Sequence, residues 1–90
     1  MPNEIIHVDG TREPYPPANG KQYTLEELQK AIGGGYIEIV RTRDNRLMVI
    51  DEEGKLKGFP VNPVATAMYR YGPEDPIVGD VLVCDPGTID

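Results

Sequence analysis

The sequence predicts an α+β fold in which two short helices pack on one mostly antiparallel sheet of about four to five strands. Two segments have helical apolar spacing with capping residues, and the remaining apolar segments have strand character, separated by short turns that contain Gly or Pro. Strands joined by tight turns pair antiparallel. We therefore expect both helices on one face of the sheet. Residues 1–90 should form a single domain, because so short a chain cannot hold two cores.

The first part of the chain, residues 1–22, is expected to form a short strand followed by a Pro-rich arm. Residues 4–8 favour a strand, which the turn-forming pair Asp9-Gly10 ends. The prolines within 13–20 fix φ and remove amide donors, which excludes a helix or a central strand there. The arm is therefore extended, and it serves either as a linker or as a strip over the fold.

The most completely specified element is a first helix that begins after Thr24 and ends before Gly33. Thr24 suits the N-cap, and Glu27 three residues later completes a capping box. Gly33 can adopt the left-handed conformation that follows many helices. Three apolar residues are expected on its core face: Leu25, Leu28 and Ile32.

An antiparallel hairpin should follow the first helix. Residues 36–41 and 47–51 favour strands, and the polar segment 43–46 favours the turn between them. A second tight turn is predicted at 52–55, and a short third strand at 56–59.

A second helix is predicted over 63–71, with Asn62 as N-cap, Pro63 at the first helical position and Gly72-Pro73 as the stop. A helical wheel at about 100° per residue divides its side chains into two faces. The predicted core face carries Val64, Ala67, Met68 and Tyr71. The predicted solvent face carries Asn62, Ala65, Thr66 and Tyr69, with Arg70 beside them.

The last strand, within 77–84, is expected at the centre of the sheet. From Val81 onward both of its alternating sets of side chains are apolar, which is typical of a strand covered on two faces. Cys84 ends this apolar run, so we expect a buried structural thiol. The sole histidine, His7, has no nucleophile near it in the sequence, and we expect a half-exposed strand residue.

Composition excludes several classes of function. Nine basic and fifteen acidic residues give a net charge of −6, which argues against direct binding of nucleic acid. No apolar run approaches the roughly 20 residues of a membrane helix, and the first ten residues lack a secretory signal, so we expect a cytoplasmic protein. The acidic turn residues do not have calcium-loop spacing, and zinc-ligand spacing is lacking. We expect no metal and no cofactor.

The second helix suggests a binding site. Solvent faces usually carry Lys and Glu, whereas the predicted outer face is polar and aromatic. In this hypothesis Tyr69 or Tyr36 stacks on a ligand, and Arg70 meets a negative group. The remaining proposed contacts come from Asn62, Thr66 and Glu38, of which the first two would donate or accept hydrogen bonds. The alternative is an N-cap and an ordinary solvent face.

Five short motifs, taken in order, resemble a family of small proteins of unknown function encoded by bacteriophages, plasmids and other mobile elements. The motifs are YTLEELQ at 23–29, GGYIE at 34–38, DEEGK at 51–55, NPxAT at 62–66 and VGDV at 78–81. The resemblance covers residues 23–84 and brings no catalytic residues with it. It implies a mobile-element product that acts inside a bacterium, where such proteins bind host proteins or sequester nucleotide immune signals.

We therefore hypothesise a non-enzymatic accessory protein of anti-defence type, whose partner is a host protein or a small nucleotide. One alternative is a small acid-based or metal-assisted hydrolase, which requires carboxylates that converge in a cleft. Another is an acidic anti-restriction DNA mimic, which requires a continuous acidic stripe. A homo-oligomer could form through an edge strand or through the surface around Tyr69.

Overall fold

The computed structural model describes residues 2–89, and in this part of the chain it confirms the α+β fold class. In chain order the elements are β1 (Glu4–Ile6), β2 (Arg12–Pro14), α1 (Leu25–Ala31), β3 (Ile37–Arg41), β4 (Leu47–Asp51), α2 (Pro63–Met68), β5 (Val81–Cys84) and a closing 3-10 turn (Pro86–Thr88). The sheet is open and antiparallel, with its five strands in the order β2-β1-β5-β4-β3. Neither helix is long and apolar enough to cross a membrane.

The last strand, β5, lies at the centre of the sheet as predicted. All four of its residues are buried, which agrees with apolar side chains on both of its faces. Cys84 is one of them, and burial raises the pKa of its thiol. This cysteine is therefore the expected structural residue.

The two helices cover opposite faces of the sheet, so the expectation that they share one face is wrong. Leu28 of α1 packs in a cluster with Val49 and Leu82. Ala65 of α2 packs in a second cluster with Met48. Consecutive residues of a strand point to opposite faces, so the central strand β5, which is apolar at every position, needs one helix on each side.

The first helix forms as predicted. The Thr24 hydroxyl accepts from the Glu27 amide at 3.1 Å, and the Glu27 carboxylate accepts from the Thr24 amide at 2.8 Å, which completes the capping box. Gly33 follows the helix with φ +93°. Leu25 is an exception to the predicted core face, because it is exposed at the start of the helix.

The Pro-rich arm lies over the fold instead of acting as a free linker. Its first part is β2, which pairs with β1 at one edge of the sheet. Beyond β2, the ring of Tyr15 stacks on Tyr23 with centroids 5.9 Å apart. The Tyr15 hydroxyl also donates to the carbonyl of Glu27 at 2.8 Å. The arm therefore packs against the same face as α1.

The third strand predicted at 56–59 does not form. Residues 52–58 make consecutive turns, with hydrogen bonds from the Lys57 amide to the Glu53 carbonyl at 3.0 Å and from the Gly58 amide to the Lys55 carbonyl at 3.2 Å. Gly58 has φ +73°, which reverses the chain. These local hydrogen bonds satisfy the backbone without a partner strand.

The second helix is shorter than predicted, and its buried face is the opposite one. It ends at Met68, because Tyr69 adopts an extended conformation (φ −70°, ψ 138°) and forms an antiparallel bridge with Thr42. Ala65 and Tyr69 are buried, whereas Ala67 and Tyr71 of the predicted core face are exposed. Of that predicted core face, only two residues are partly buried: Val64 and Met68.

Candidate functional site

Two of the predicted ligand contacts, Asn62 and Thr66, hold the fold together. The fully buried Asn62 amide group donates to the carbonyls of Ile6 at 3.0 Å and Gly79 at 2.9 Å, and its oxygen accepts from the Ala65 amide at 3.0 Å. The Thr66 hydroxyl accepts from the Ile77 amide at 2.9 Å. The prediction that Asn62 faces solvent is wrong, whereas Thr66 is only partly buried, and the polar groups of both are engaged within the chain.

Tyr36 and Arg70 are both exposed, and each contacts a different part of the chain. Tyr36, with 68% of its surface exposed, borders a shallow depression with Gly34 and Lys57. Arg70 lies at the β3–β4 turn, where its guanidinium is 3.4 Å from the Asn45 side-chain oxygen. The contacts of Asn62, Tyr36 and Arg70 thus differ, and a ligand that touches all six predicted residues stays a prediction.

Glu38 and Tyr69 do come together, in a cavity of about 130 Å³ on the α2 face of the sheet. We call this cavity the β3 groove. Its apolar walls are formed by Val40, Ile50 and Ile77, which belong to or contact the core cluster under α2. The segments 52–56 and 75–78 supply its remaining walls.

The β3 groove is strongly acidic. Four carboxylates line it against a single amine, and that amine, on Lys55, is already paired with Asp75. Within residues 2–89, the side chains of Glu38 and Glu52 form neither an ion pair nor a hydrogen bond. Two uncompensated carboxylates are thus available to a cation.

The Tyr69 side chain supplies a polar group to this groove. The residue is only 8% exposed, and its ring meets Tyr71 edge to face with centroids 5.7 Å apart. Its hydroxyl forms no hydrogen bond with any residue in the described range 2–89. Burial raises the pKa of this phenol, and the carboxylates of Asp75 and Glu38 raise it further. The hydroxyl therefore stays protonated, and it can exchange hydrogen bonds with a ligand.

Beside the groove, part of the β3 edge is open. In the β3–β4 ladder the Glu52 amide donates to the Tyr36 carbonyl at 2.9 Å, and the Thr42 amide donates to the Arg46 carbonyl at 3.0 Å. Antiparallel pairs alternate between bonded and non-bonded positions. The N–H and C=O groups of Ile37 and Ile39 therefore point away from β4, and no hydrogen bond from the described residues reaches them.

The other end of this edge is covered by the chain itself. The Arg70 amide donates to the Arg41 carbonyl at 3.2 Å, and the Arg43 amide donates to the Met68 carbonyl at 2.8 Å. Residues 68–70 thus lie along β3 like the start of a sixth strand. The cover ends before Ile39, so an open stretch lies beside the β3 groove.

His7 has no free ring nitrogen. Its Nδ1 is 2.9 Å from Asp80 Oδ2, and its Nε2 is 3.0 Å from Glu13 Oε1. These two hydrogen bonds, that to Asp80 first, raise the pKa of the imidazole. The half-buried ring therefore joins β2 to the chain before β5.

Comparison with known proteins places this chain in one family over nearly its whole length. A family model described as Domain of unknown function (DUF3846) matches residues 3–90. The chain belongs to this family. The match extends beyond residues 23–84, where the motif resemblance lies, and takes in the N-terminal strand and the Pro-rich arm. Neither the curated proteins nor the solved structures include a match to the chain.

In this DUF3846 chain, sequence reasoning missed the open backbone of the β3 edge and two polar residues of the groove, Glu52 and Asp75. The sequence carried a partial signal for the edge. Ile37 and Ile39 alternate with residues of mixed character, which is typical of a strand at the margin of a sheet. No local signal joins Asp75 to Glu38, because the segment after α2 brings the two together.

Proposed function

We propose that this protein is a non-enzymatic binding module that holds a basic side chain of a partner protein in the β3 groove. One observation carries the proposal. The Tyr69 hydroxyl reaches the surface of the groove, lacks a hydrogen-bond partner among residues 2–89, and shares the groove with the unpaired carboxylate of Glu38. A guanidinium or ammonium group would pair with the carboxylate, and the apolar walls would accept its aliphatic stem.

Size and charge favour a protein partner over a nucleotide. The groove holds about 130 Å³, whereas sites for small molecules measure roughly 300–1,000 Å³. This volume suits one long side chain. Phosphate groups would also meet the unpaired carboxylates of Glu38 and Glu52, and like charges repel. Both arguments favour a basic residue carried on a larger surface.

The resemblance to phage and plasmid proteins supplies a context for this activity. In that context the partner is a protein of the host bacterium, and the module works in the host cytoplasm as an anti-defence accessory. A net charge of −6 would assist the encounter with a basic partner. This assignment rests on the motifs and not on the groove.

The four carboxylates of the β3 groove meet one requirement of an acid-based hydrolase, convergence in a cleft, whereas no observation favours a metal-assisted hydrolase or a DNA mimic. A metal-assisted hydrolase needs convergent ligands, and residues 2–89 contain no group of three or more His, Cys, Asp or Glu placed to hold a metal ion. A DNA mimic needs a continuous acidic stripe. The unpaired acids of the groove instead surround an apolar pocket, which favours a ligand with an aliphatic stem.

The proposal can be tested with nuclear magnetic resonance by titrating the labelled protein with Nα-acetyl-arginine methylamide and, separately, with adenosine monophosphate. The arginine compound should shift the amide signals of Glu38 and Val40, and the nucleotide should leave them in place. Glu38→Gln should weaken the response several-fold, since it removes a charged hydrogen-bond acceptor. The matched control is Glu26→Gln, on the exposed side of α1. Stronger binding of the nucleotide, or no response to arginine, would reject the proposal.

A further inference from the structure

We infer that the partner segment binds as an added antiparallel strand along the open β3 edge, with its basic residue opposite Glu38. The inference rests on the proposed function, because it assumes that the basic side chain enters the β3 groove. It adds the backbone conformation of the partner and the pattern of residues that the partner must carry.

The backbone of β3 provides the first argument. Ile37 and Ile39 present two N–H donors and two C=O acceptors away from β4. Residues 68–70 already pair antiparallel with the end of this strand. An incoming segment would continue along the same edge in the direction that the protein itself uses.

Side-chain direction provides the second argument. Ile39 pairs with Val49, which lies on the α1 face, whereas Glu38 lines the groove on the α2 face. The partner residue opposite Glu38 must therefore project on the groove side, where a basic side chain makes a cross-strand ion pair. Its two neighbours lie next to Ile37 and Ile39, and Ile39 is 42% exposed. The expected pattern is apolar, basic, apolar.

A second copy of this chain fits the edge poorly. A symmetric pair centred on Glu38 would place two carboxylates directly opposite each other. A pair centred on Ile39 would need the Arg41 carbonyl, which already accepts from the Arg70 amide. In a pair centred on Ile37, only Ile37 would face its own copy, and the rest of β3 would lie opposite residues that precede β3 in the second chain. These registers favour a different chain as the partner.

The probe is the peptide acetyl-Gly-Val-Arg-Val-Gly-amide, titrated into labelled protein and followed at the amides of Ile37 and Ile39. Methylation of the backbone nitrogens of both valines should weaken binding by roughly tenfold or more, because those N–H groups face β3 in an antiparallel pair. Methylation of the backbone nitrogen of the arginine is the matched control. That N–H points away from β3, so its loss should change affinity less than about twofold.

A variant pair tests the same edge from the protein side. Ile39→Pro removes the outward N–H while leaving the bonded positions of the β3–β4 ladder intact, and Pro is tolerated in this orientation on an edge strand. Peptide binding should fall roughly fivefold or more. Ile39→Thr keeps the N–H and the β-branch and loses only part of the apolar side-chain contact, so its loss of binding should be clearly smaller than that of Ile39→Pro. If Ile39→Pro fails to fold, the methylated peptides still decide.

The outcomes separate this inference from the proposed function. If the arginine peptide binds and its Arg→Glu version does not, while valine methylation has no effect, the groove function stands and the added strand is rejected. If backbone methylation of the arginine abolishes binding while methylation of the valines does not, an antiparallel added strand is also rejected. If neither peptide shifts Ile37 or Ile39 at millimolar concentration, the inference is rejected. Association of the protein with itself through β3, detected by light scattering, would reject a different chain as the partner.

Discussion

The two edges of the sheet are built differently. On the β2 edge, Pro14 lies at an outward-facing position and lacks an N–H group, while Arg12 pairs with Glu4 at 2.8 Å. The β3 edge has five residues, and its outward-facing positions include two isoleucines, at 37 and 39. One edge is thus closed by proline and charge. The other is closed only where residues 68–70 lie against it.

This difference indicates that the uncovered stretch of the β3 edge is a built feature of the fold and not an accident. A strand edge that is exposed by accident is a risk for aggregation, and proteins usually protect both ends of a sheet. Here the chain covers the backbone of Arg41 and Arg43 but stops beside a groove with unpaired acidic and phenolic groups. The open stretch and the groove therefore form one surface, which is held by α2 and by the start of β3 and which the β2 edge lacks.

The largest effect is expected where α2 is anchored, since α2 brings residues 68–70 onto β3. Asn62→Ala removes the cap of α2 and leaves the buried carbonyls of Ile6 and Gly79 without their side-chain donor. The free energy of unfolding should fall by about 3 kcal/mol or more. Urea unfolding measures the loss, and exchange of the Arg43 amide should become faster.

The matched control for Asn62 is the other helix cap. Thr24→Ala removes one exposed capping group from α1 and should cost only about 1 kcal/mol. Equal losses in the two variants would mean that the buried amide of Asn62 does no more than an ordinary cap, and the account of how α2 covers β3 would be wrong.

A smaller effect is expected at the entrance to the open edge. A Cβ atom at Gly35 would lie 2.4 Å from Asp51 Oδ2 and 2.7 Å from Lys57 Nζ, which form an ion pair at 2.8 Å. Gly35→Ala must displace this pair and should cost about 1–3 kcal/mol in urea unfolding. The control is Gly87→Ala, because no heavy atom of residues 2–89 lies within 4 Å of the added Cβ there. An unchanged stability of Gly35→Ala would show that the start of β3 is not fixed by this contact.

The smallest effect concerns the β2 edge and depends on pH. Hydrogen bonds to Asp80 and Glu13 raise the pKa of His7 above its ordinary value of 6.5. The folded state therefore binds the proton more tightly than the unfolded state does. The resulting stabilisation is fully present below pH 6.5 and is lost as the pH rises through the folded-state pKa. The contribution should be below about 1 kcal/mol, since the groups are partly exposed.

Comparison of the parent protein with His7→Gln isolates the pH-dependent contribution of His7 to the free energy of unfolding. The difference in unfolding free energy between the parent protein and the variant should be larger near about pH 6 than near about pH 8.5. A difference that grows with pH would contradict the assigned contacts of His7. The β3 edge has no histidine, so peptide binding there should not follow the same profile.

Local signals in the sequence were sufficient for most elements of the fold. The capping box at Thr24, the hairpin and the apolar run that ends at Cys84 each predicted the observed element. They succeeded because the residues that decide each element are neighbours in the chain. The strand predicted at 56–59 failed because the turn hydrogen bonds of 52–58 compete with strand pairing, and short apolar runs do not reveal that competition.

The candidate site was harder to predict, since it depends on tertiary contacts. The wheel for α2 assumed helical geometry through Tyr69, but that residue leaves the helix and turns its ring inward. The same wheel placed Asn62 on the solvent face, yet the carbonyls that its side chain satisfies come from β1 and from the segment before β5. The sequence did carry a signal that the helices lie on opposite faces of the sheet. The residues of β4, like those of β5, are apolar at consecutive positions, which favours one helix on each face.

The central claim is that the backbone of Ile37 and Ile39 is open in the free protein and covered when a partner binds. Amide hydrogen exchange, with and without saturating acetyl-Gly-Val-Arg-Val-Gly-amide, measures it most directly. We predict rapid exchange at both amides in the free protein, slow exchange at Glu38 and Val40, and at least roughly tenfold slower exchange at Ile37 and Ile39 in the complex. Slow exchange at Ile37 and Ile39 in the free protein, or unchanged exchange on saturation with the peptide, would contradict the account.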